Sequence, residues 1–219
     1  DSNPQEREWF SAKHGVKNSI WPIFENLITS GFLNDNTGKE MSIFMTAVDS
    51  GYLPNYVYTF VDKSNANVIS VKGEKDGKFD IKDADSKTYK LSMERRNLYL
   101  VRSNLTKDNL SVQMNLNWDK ENTDVQPYGF MNFPEPTKGK YLLGNYFSHF
   151  EAEHKIIDPK TDRFTWTKKT NNHQNHIFDC RLYAMVVRDI LIDKIFKEKK
   201  LKNGTWYDYV SIIQKLVKF

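Results

Sequence analysis

A single cysteine, Cys180, among 219 residues excludes an internal disulfide and leaves no cysteine framework for zinc. That scarcity fits a reducing compartment. No stretch approaches the roughly 18 consecutive apolar residues of a membrane span, and the opening DSNPQEREWF lacks the layout of a secretion signal. Both phosphate-cradling patterns, GxxxxGK[ST] and GxGxxG, are missing, which excludes a nucleotide-binding loop of either kind. Internal repeats and low-complexity linkers are missing as well. Strong charge of one sign is also lacking. A formal net charge of +4, with a pI near 8.9, allows a polyanionic partner without demanding one.

What is present is a 39% hydrophobic chain, enough for one substantial core and therefore for a single main domain with small additions. It starts at Asp1 rather than methionine, so it is expected to be a piece of a longer protein. The segment SIWPIFENLITSGF predicts a helix capped by Ser19 and stopped at Gly31. SIFMTAV reads as a strand buried on both faces, and Pro54 opens a helix over NYVYTFVDK. NVISVKG is a second strand, and TYKLSM and NLYLVR are two more, after the charged, turn-like EKDGKFDIKDADSK. NLTKDNLSVQMNL predicts a helix led by Asn104 as its cap, GFMNF a short strand, and KYLLGNYFSHFEAEHK an amphipathic helix. KIIDP and DRFTWTKK suggest a hairpin around Pro159 and Thr161, before a long helix over HIFDCRLYAMVVRDILIDKIFKEKK and a last one in TWYDYVSIIQKLVKF. This order predicts a mixed α/β domain around one central sheet.

Two carboxylates interrupt apolar surroundings. Asp49 ends the first strand, and Asp179 lies in the first turn of the long helix. An unpaired buried carboxylate costs several kcal/mol, so Asp49 must sit at an open strand end, pair with a cation or bind metal. In a sheet-and-helix fold the two acids can meet and chelate a divalent cation. Oxygen ligands suit magnesium or manganese, and two ions about 3.5–4 Å apart activate water and stabilise the leaving oxygen of a phosphodiester. The plainer alternatives are that Asp49 caps the turn through the Ser50 and Gly51 amides, and that Asp179 answers the helix macrodipole. His173 and His176 lack cysteine partners for zinc, and their flanking asparagines read as cap and loop chemistry. Cys180 reads as a buried, inert thiol, and Lys107, Asp108, Arg95 and Arg96 as solvated charge near a strand end. The basic stretch KIFKEKKLKNG either matches the helix dipole or tracks phosphates.

The ordered blocks AVDSGYLPNYVYTFV, NVISVKG, NLYLVRSNLTKDNL, YGFMNFP, YFSHFEAE, FTWTKK and NHIFDCRLYAMV resemble the nuclease domain of a tailed-bacteriophage terminase large subunit of the lambda-type branch, over roughly residues 40–195. The resemblance implies a ribonuclease H-like α/β fold, a mixed central sheet flanked by helices, whose central strand is flanked antiparallel on one side and parallel on the other. It further implies a Mg2+ or Mn2+ two-metal site, with the catalytic aspartates falling on Asp49 and Asp179. Asn104 stands where such nucleases generally present a second carboxylate; its amide oxygen is expected to ligate the metal without bringing charge, with Asp108 or Glu153 helping, and Lys107 matches a recurring lysine of that turn, expected to contact a phosphate or the scissile region. The division it implies is an N-terminal helical extension from a missing ATPase domain over 1–40, a nuclease domain over 41–200 and a C-terminal helix over 201–219. The implied task is cutting concatemeric double-stranded viral DNA in the cytoplasm of an infected bacterium, with the terminase small subunit and the portal or procapsid as partners and no membrane. Rival readings are a catalytically weak or inactive nuclease fold that binds DNA or portal, and a branched-DNA resolvase-like nuclease.

Overall fold

The computed structural model describes residues 20–35, 37–74, 87–133 and 145–217. In chain order its elements are α1 (Ile20–Thr29), β1 (Phe32–Leu33), β2 (Glu40–Met41), β3 (Thr46–Asp49), α2 (Pro54–Lys63), β4 (Val68–Glu74), β5 (Tyr89–Leu91), β6 (Leu98–Arg102), α3 (Ser103–Met114), a 3-10 turn (Phe147–His149), β7 (Glu153–Asp158), β8 (Arg163–Lys168), α4 (His176–Glu198) and α5 (Trp206–Val217). This is a mixed α/β fold, consistent with a ribonuclease H-like architecture. Parallel and antiparallel pairing occur in one four-stranded sheet of order β3-β4-β6-β5. The Ser19 cap, Trp9 and most of the charged stretch between β4 and β5 lie outside the described residues. Among the described residues no helix is long and apolar enough to cross a membrane.

The chain divides into two compact units, one of residues 1–72, 90–100 and 185–219, the other of 73–89 and 101–184. In the first unit β3 runs parallel to β4, with Asp49 opposite Val71. β5 and β6 are antiparallel, since Ser92 N–H donates to Leu98 O and Arg102 N–H to Thr88 O. The expected burial of the first strand on both faces is corrected here. β3 stands at the edge of the described sheet, with Thr46 to Val48 half-buried and Asp49 exposed, whereas β4 is fully buried from Val68 to Val71. Thr46, Ala47 and Val48 present little apolar surface, while Val68, Ile69 and Val71 supply the larger β-branched side chains that fill a two-sided core.

Pro54 opens α2 as expected, preceded by Leu53 in the left-handed region at φ 47°. Helices α1 and α2 bury Trp21, Ile28, Val57, Phe60 and Val61 together with Val68 of β4. Trp21 stacks on the fully buried Phe60 at a centroid distance of 4.7 Å, and Phe24 lies 5.5 Å from the same ring. Phe60→Ala is therefore expected to cost about 3–5 kcal/mol, read as a lower urea midpoint at unchanged slope. At the start of α5, Asp208 accepts from both the Thr205 N–H and hydroxyl, and Thr205 Oγ1 accepts the Asp208 N–H in return. Those bonds hold the Asp208 carboxyl below the ordinary carboxylate range.

The second unit is built on the β7–β8 hairpin, antiparallel from Glu153↔Lys168 to Asp158↔Arg163, as the sequence around Pro159 and Thr161 predicts. Four local expectations are corrected. The amphipathic helix over 140–155 gives way, in its described part, to the 3-10 turn and then β7 from Glu153. Phe133 stands edge-on to Tyr146 and Phe147 there, Tyr146 tilts against Phe150, and the Phe150 N–H donates to Phe147 O, a 3-10 rather than an α-helical bond. GFMNF is not a strand, because Gly129 at φ 82° and the Phe130 N–H to Pro127 O bond close a turn. Helix α3 begins at Ser103 with Arg102 at its cap position and no side-chain cap, so Asn104 is used otherwise. Cys180 is exposed rather than buried. The apolar face of α4 in this unit passes through Phe178 and Leu182 and leaves position 180 outside.

Candidate functional site

Asn104, Lys107 and Asp108 recur at i, i+3 and i+4 and so share one face of α3. That face meets the hairpin. Asn104 Oδ1 accepts the Trp166 N–H at 3.1 Å, and its amide nitrogen reaches Thr165 Oγ1 at 3.4 Å. Asp108 accepts from Trp166 Nε1 and from Lys155 Nζ, each at 2.9 Å. One turn is thus committed to fastening helix to sheet, and this gives an amide at position 104 a structural purpose of its own.

Lys107 points into the unit's interior. Its ammonium donates to both oxygens of Glu153, at 2.9 and 2.6 Å, and lies 3.4 Å from Asp179 Oδ1. The side chains of Lys107 and Glu153 are 11% and 4% exposed against 34% for Asp179, so the ion pair is buried and the third member opens to solvent. The solvated-charge reading of Lys107 is corrected accordingly: Phe178, itself walled by Phe150 and Trp166, stands 5.4 Å below the ammonium. An ammonium held over apolar rings needs close anions to offset its lost hydration, and Glu153 supplies them.

Asn175 joins the two carboxylates. Buried just ahead of α4, it donates from Nδ2 to Glu153 Oε1 at 2.5 Å and to Asp179 Oδ2 at 2.8 Å, while its carbonyl accepts the Asp179 N–H at 3.0 Å. In the sequence it reads only as one of the asparagines flanking His173 and His176, with cap or loop chemistry and no place in the site. Its place before the apolar run of α4 is legible as a cap, but nothing in the spacing indicates that its amide bridges to a residue 22 positions earlier. With one cation and two anions the group carries a formal charge of −1.

Asp49, in the first unit, ends β3 exposed, with Oδ1 accepting the Gly51 N–H at 2.9 Å. The Ser50 N–H instead completes the sheet at Val71 O, as does the Ser50 hydroxyl, so only half of the expected turn cap forms. His173 bonds Thr170 Oγ1 through Nδ1, and His176 tilts against His149.

Among the described residues no three His, Cys, Asp or Glu side chains stand grouped to hold a metal ion. The donors nonetheless suit a hard cation. Asp49 and Asp179 present solvent-accessible carboxylate oxygens, and magnesium is commonly held by one or two carboxylates with substrate phosphates completing its shell. Glu153 fits less well, because both of its oxygens already accept strong bonds.

A family model described as terminase large subunit gpA, endonuclease domain, matches residues 7–197. No curated protein and no solved structure gives a significant match.

Proposed function

The chain belongs to the family of terminase large subunit gpA endonuclease domains, and we propose on that premise that it hydrolyses phosphodiester bonds of double-stranded DNA with a divalent metal, Mg2+ or Mn2+. The observation that carries the reading is the convergence of Lys107, Glu153, Asn175 and Asp179 from three separate elements onto one partly open spot. Asp179 and Asp49 are the carboxylates assigned to the metal. Bound there, divalent ions would lower the pKa of water and polarise the phosphoryl oxygens, as in two-metal phosphodiester hydrolysis. The chain's own part is to present hard anionic oxygens, hold Asp179 in one rotamer through Asn175 and keep a fixed cation beside it. Asn104 and Asp108, engaged with β8 and Lys155, are assigned to holding α3 on the hairpin.

The substrate of this proposal is concatemeric viral DNA during packaging, in the host cytoplasm, with the terminase small subunit and the portal or procapsid as partners through the full-length protein. Binding is expected to be only weakly sequence-specific and steep in salt, since lysine and arginine contacts to phosphate dominate such complexes. A rival reading is a nuclease fold that binds DNA or portal without cutting, with Asn104, an amide where a carboxylate is expected, as its mark.

Plasmid incubation decides between them. Mn2+ or Mg2+ should give nicked and then linear DNA, EDTA should stop it, and a four-way junction should be cut no better than linear duplex. Cleavage indifferent to chelation would remove the metal from the proposal; a strong junction preference would favour a resolvase. No cleavage and no calorimetric Mn2+ signal would leave the binding-domain rival standing.

A further inference from the structure

We infer that Lys107 is the built-in cation of this site, and that Glu153 is its counter-ion and positioning residue rather than a metal ligand. The inference deepens the nuclease reading and rests on it. Glu153 is buried and spends one oxygen on Lys107 alone and the other on Lys107 and Asn175. To ligate metal it would have to release an ammonium that has Phe178 beneath it and only 11% exposure as an escape to water. Moving either charge away leaves the other buried without compensation.

The lysine is also aimed. It sits on the face of α3 whose neighbouring positions, Asn104 and Asp108, are fixed to β8, so the helix cannot rotate to redirect it. Asn175 then ties Glu153 to Asp179, so the ammonium, 3.4 Å from Asp179 Oδ1, is held at a set place relative to the one acid of the group that opens to solvent. A fixed positive charge there would attract the scissile phosphate and help offset charge building on the leaving oxygen beside the metal. Glu153 supplies the anchor, Asn175 the registration and Lys107 the charge.

Manganese titration by calorimetry on the full chain tests the assignment. Glu153→Gln, which keeps an acceptor for Lys107 and Asn175, should bind Mn2+ within about twofold of the parent. Asp179→Asn should bind at least about tenfold more weakly, as expected for loss of an anionic ligand. At saturating Mn2+, Glu153→Gln should lower kcat about tenfold or more with KM nearly unchanged, because a loosened ammonium stabilises the transition state less. A Glu153→Gln variant that loses Mn2+ affinity as Asp179→Asn does would overturn the assignment and restore Glu153 as a ligand.

Melting curves in EDTA give a second, independent reading. Lys107→Met and Glu153→Met should each lower Tm, and the double variant should melt above both, since an apolar pair replaces a buried ion pair at little cost. Its cleavage should stay at least about tenfold down, because the charge is gone. Additive losses of Tm, or cleavage regained along with stability, would contradict a working ion pair. A parent chain that binds no Mn2+ would sink the metal reading of the proposed function, and the melts would still decide the ion pair.

Discussion

Asp179→Asn and Asp49→Asn are each expected to abolish plasmid cleavage while leaving the fold intact: a fall of about 10³-fold or more, corresponding to roughly 4 kcal/mol of lost transition-state stabilisation. The substitution is chosen so that structure is conserved. Asparagine at 179 still offers an oxygen to Asn175 Nδ2 and keeps the backbone bond to Asn175 O, and asparagine at 49 still offers one to the Gly51 N–H. Asp49 is exposed, so its unfolding free energy should move by about 0.5 kcal/mol or less, while Asp179, 34% exposed and 3.4 Å from the Lys107 ammonium, should move by roughly 1 kcal/mol, too little to unfold the chain. What disappears is the negative charge. Gel quantification of supercoiled, nicked and linear plasmid at saturating Mn2+ reads the effect, and circular dichroism melts check the fold. Wild-type rates in either variant would remove that carboxylate from the reaction.

The second large effect is on stability. Lys107→Met is expected to cost about 3–5 kcal/mol, the range for removing one partner of a buried ion pair. Methionine fills most of the space over Phe178, so lost packing contributes little, and the loss comes from leaving the Glu153 carboxylate buried with Asn175 as its remaining partner in the group. Urea denaturation at neutral pH reads the size of the loss; a gap below about 1 kcal/mol would be the size of an exposed pair and would contradict burial.

How much of this was legible in the sequence follows from what each signal encodes. Pro54, the hairpin around Pro159 and Thr161, and the long helix from His176 are written in local chemistry: a fixed φ, turn residues and an apolar period. Asp49 and Asp179 were visible because a charge in an apolar run is rare, and the ordered blocks that resemble the terminase nucleases agree with the family match over residues 7–197. Burial was less legible. TAV and VISV both read as buried strands, and only the sheet order puts the first at an edge and the second inside. Lys107 and Glu153 lie 46 positions apart, each on an element with its own regular pattern, so neither carries a sign that it faces the other. Asn175 illustrates the limit best. Its cap position is local information, whereas the bridge from its amide to Glu153 and Asp179 arises only once hairpin and helix are folded.

Anomalous diffraction from a manganese-soaked crystal of the chain tests the central claim most directly. The expected result is metal density within about 2–2.5 Å of carboxylate oxygens of Asp179 and of Asp49, with Lys107 still on Glu153. Density seated on Glu153 with the lysine displaced, or no density at either aspartate, would contradict it.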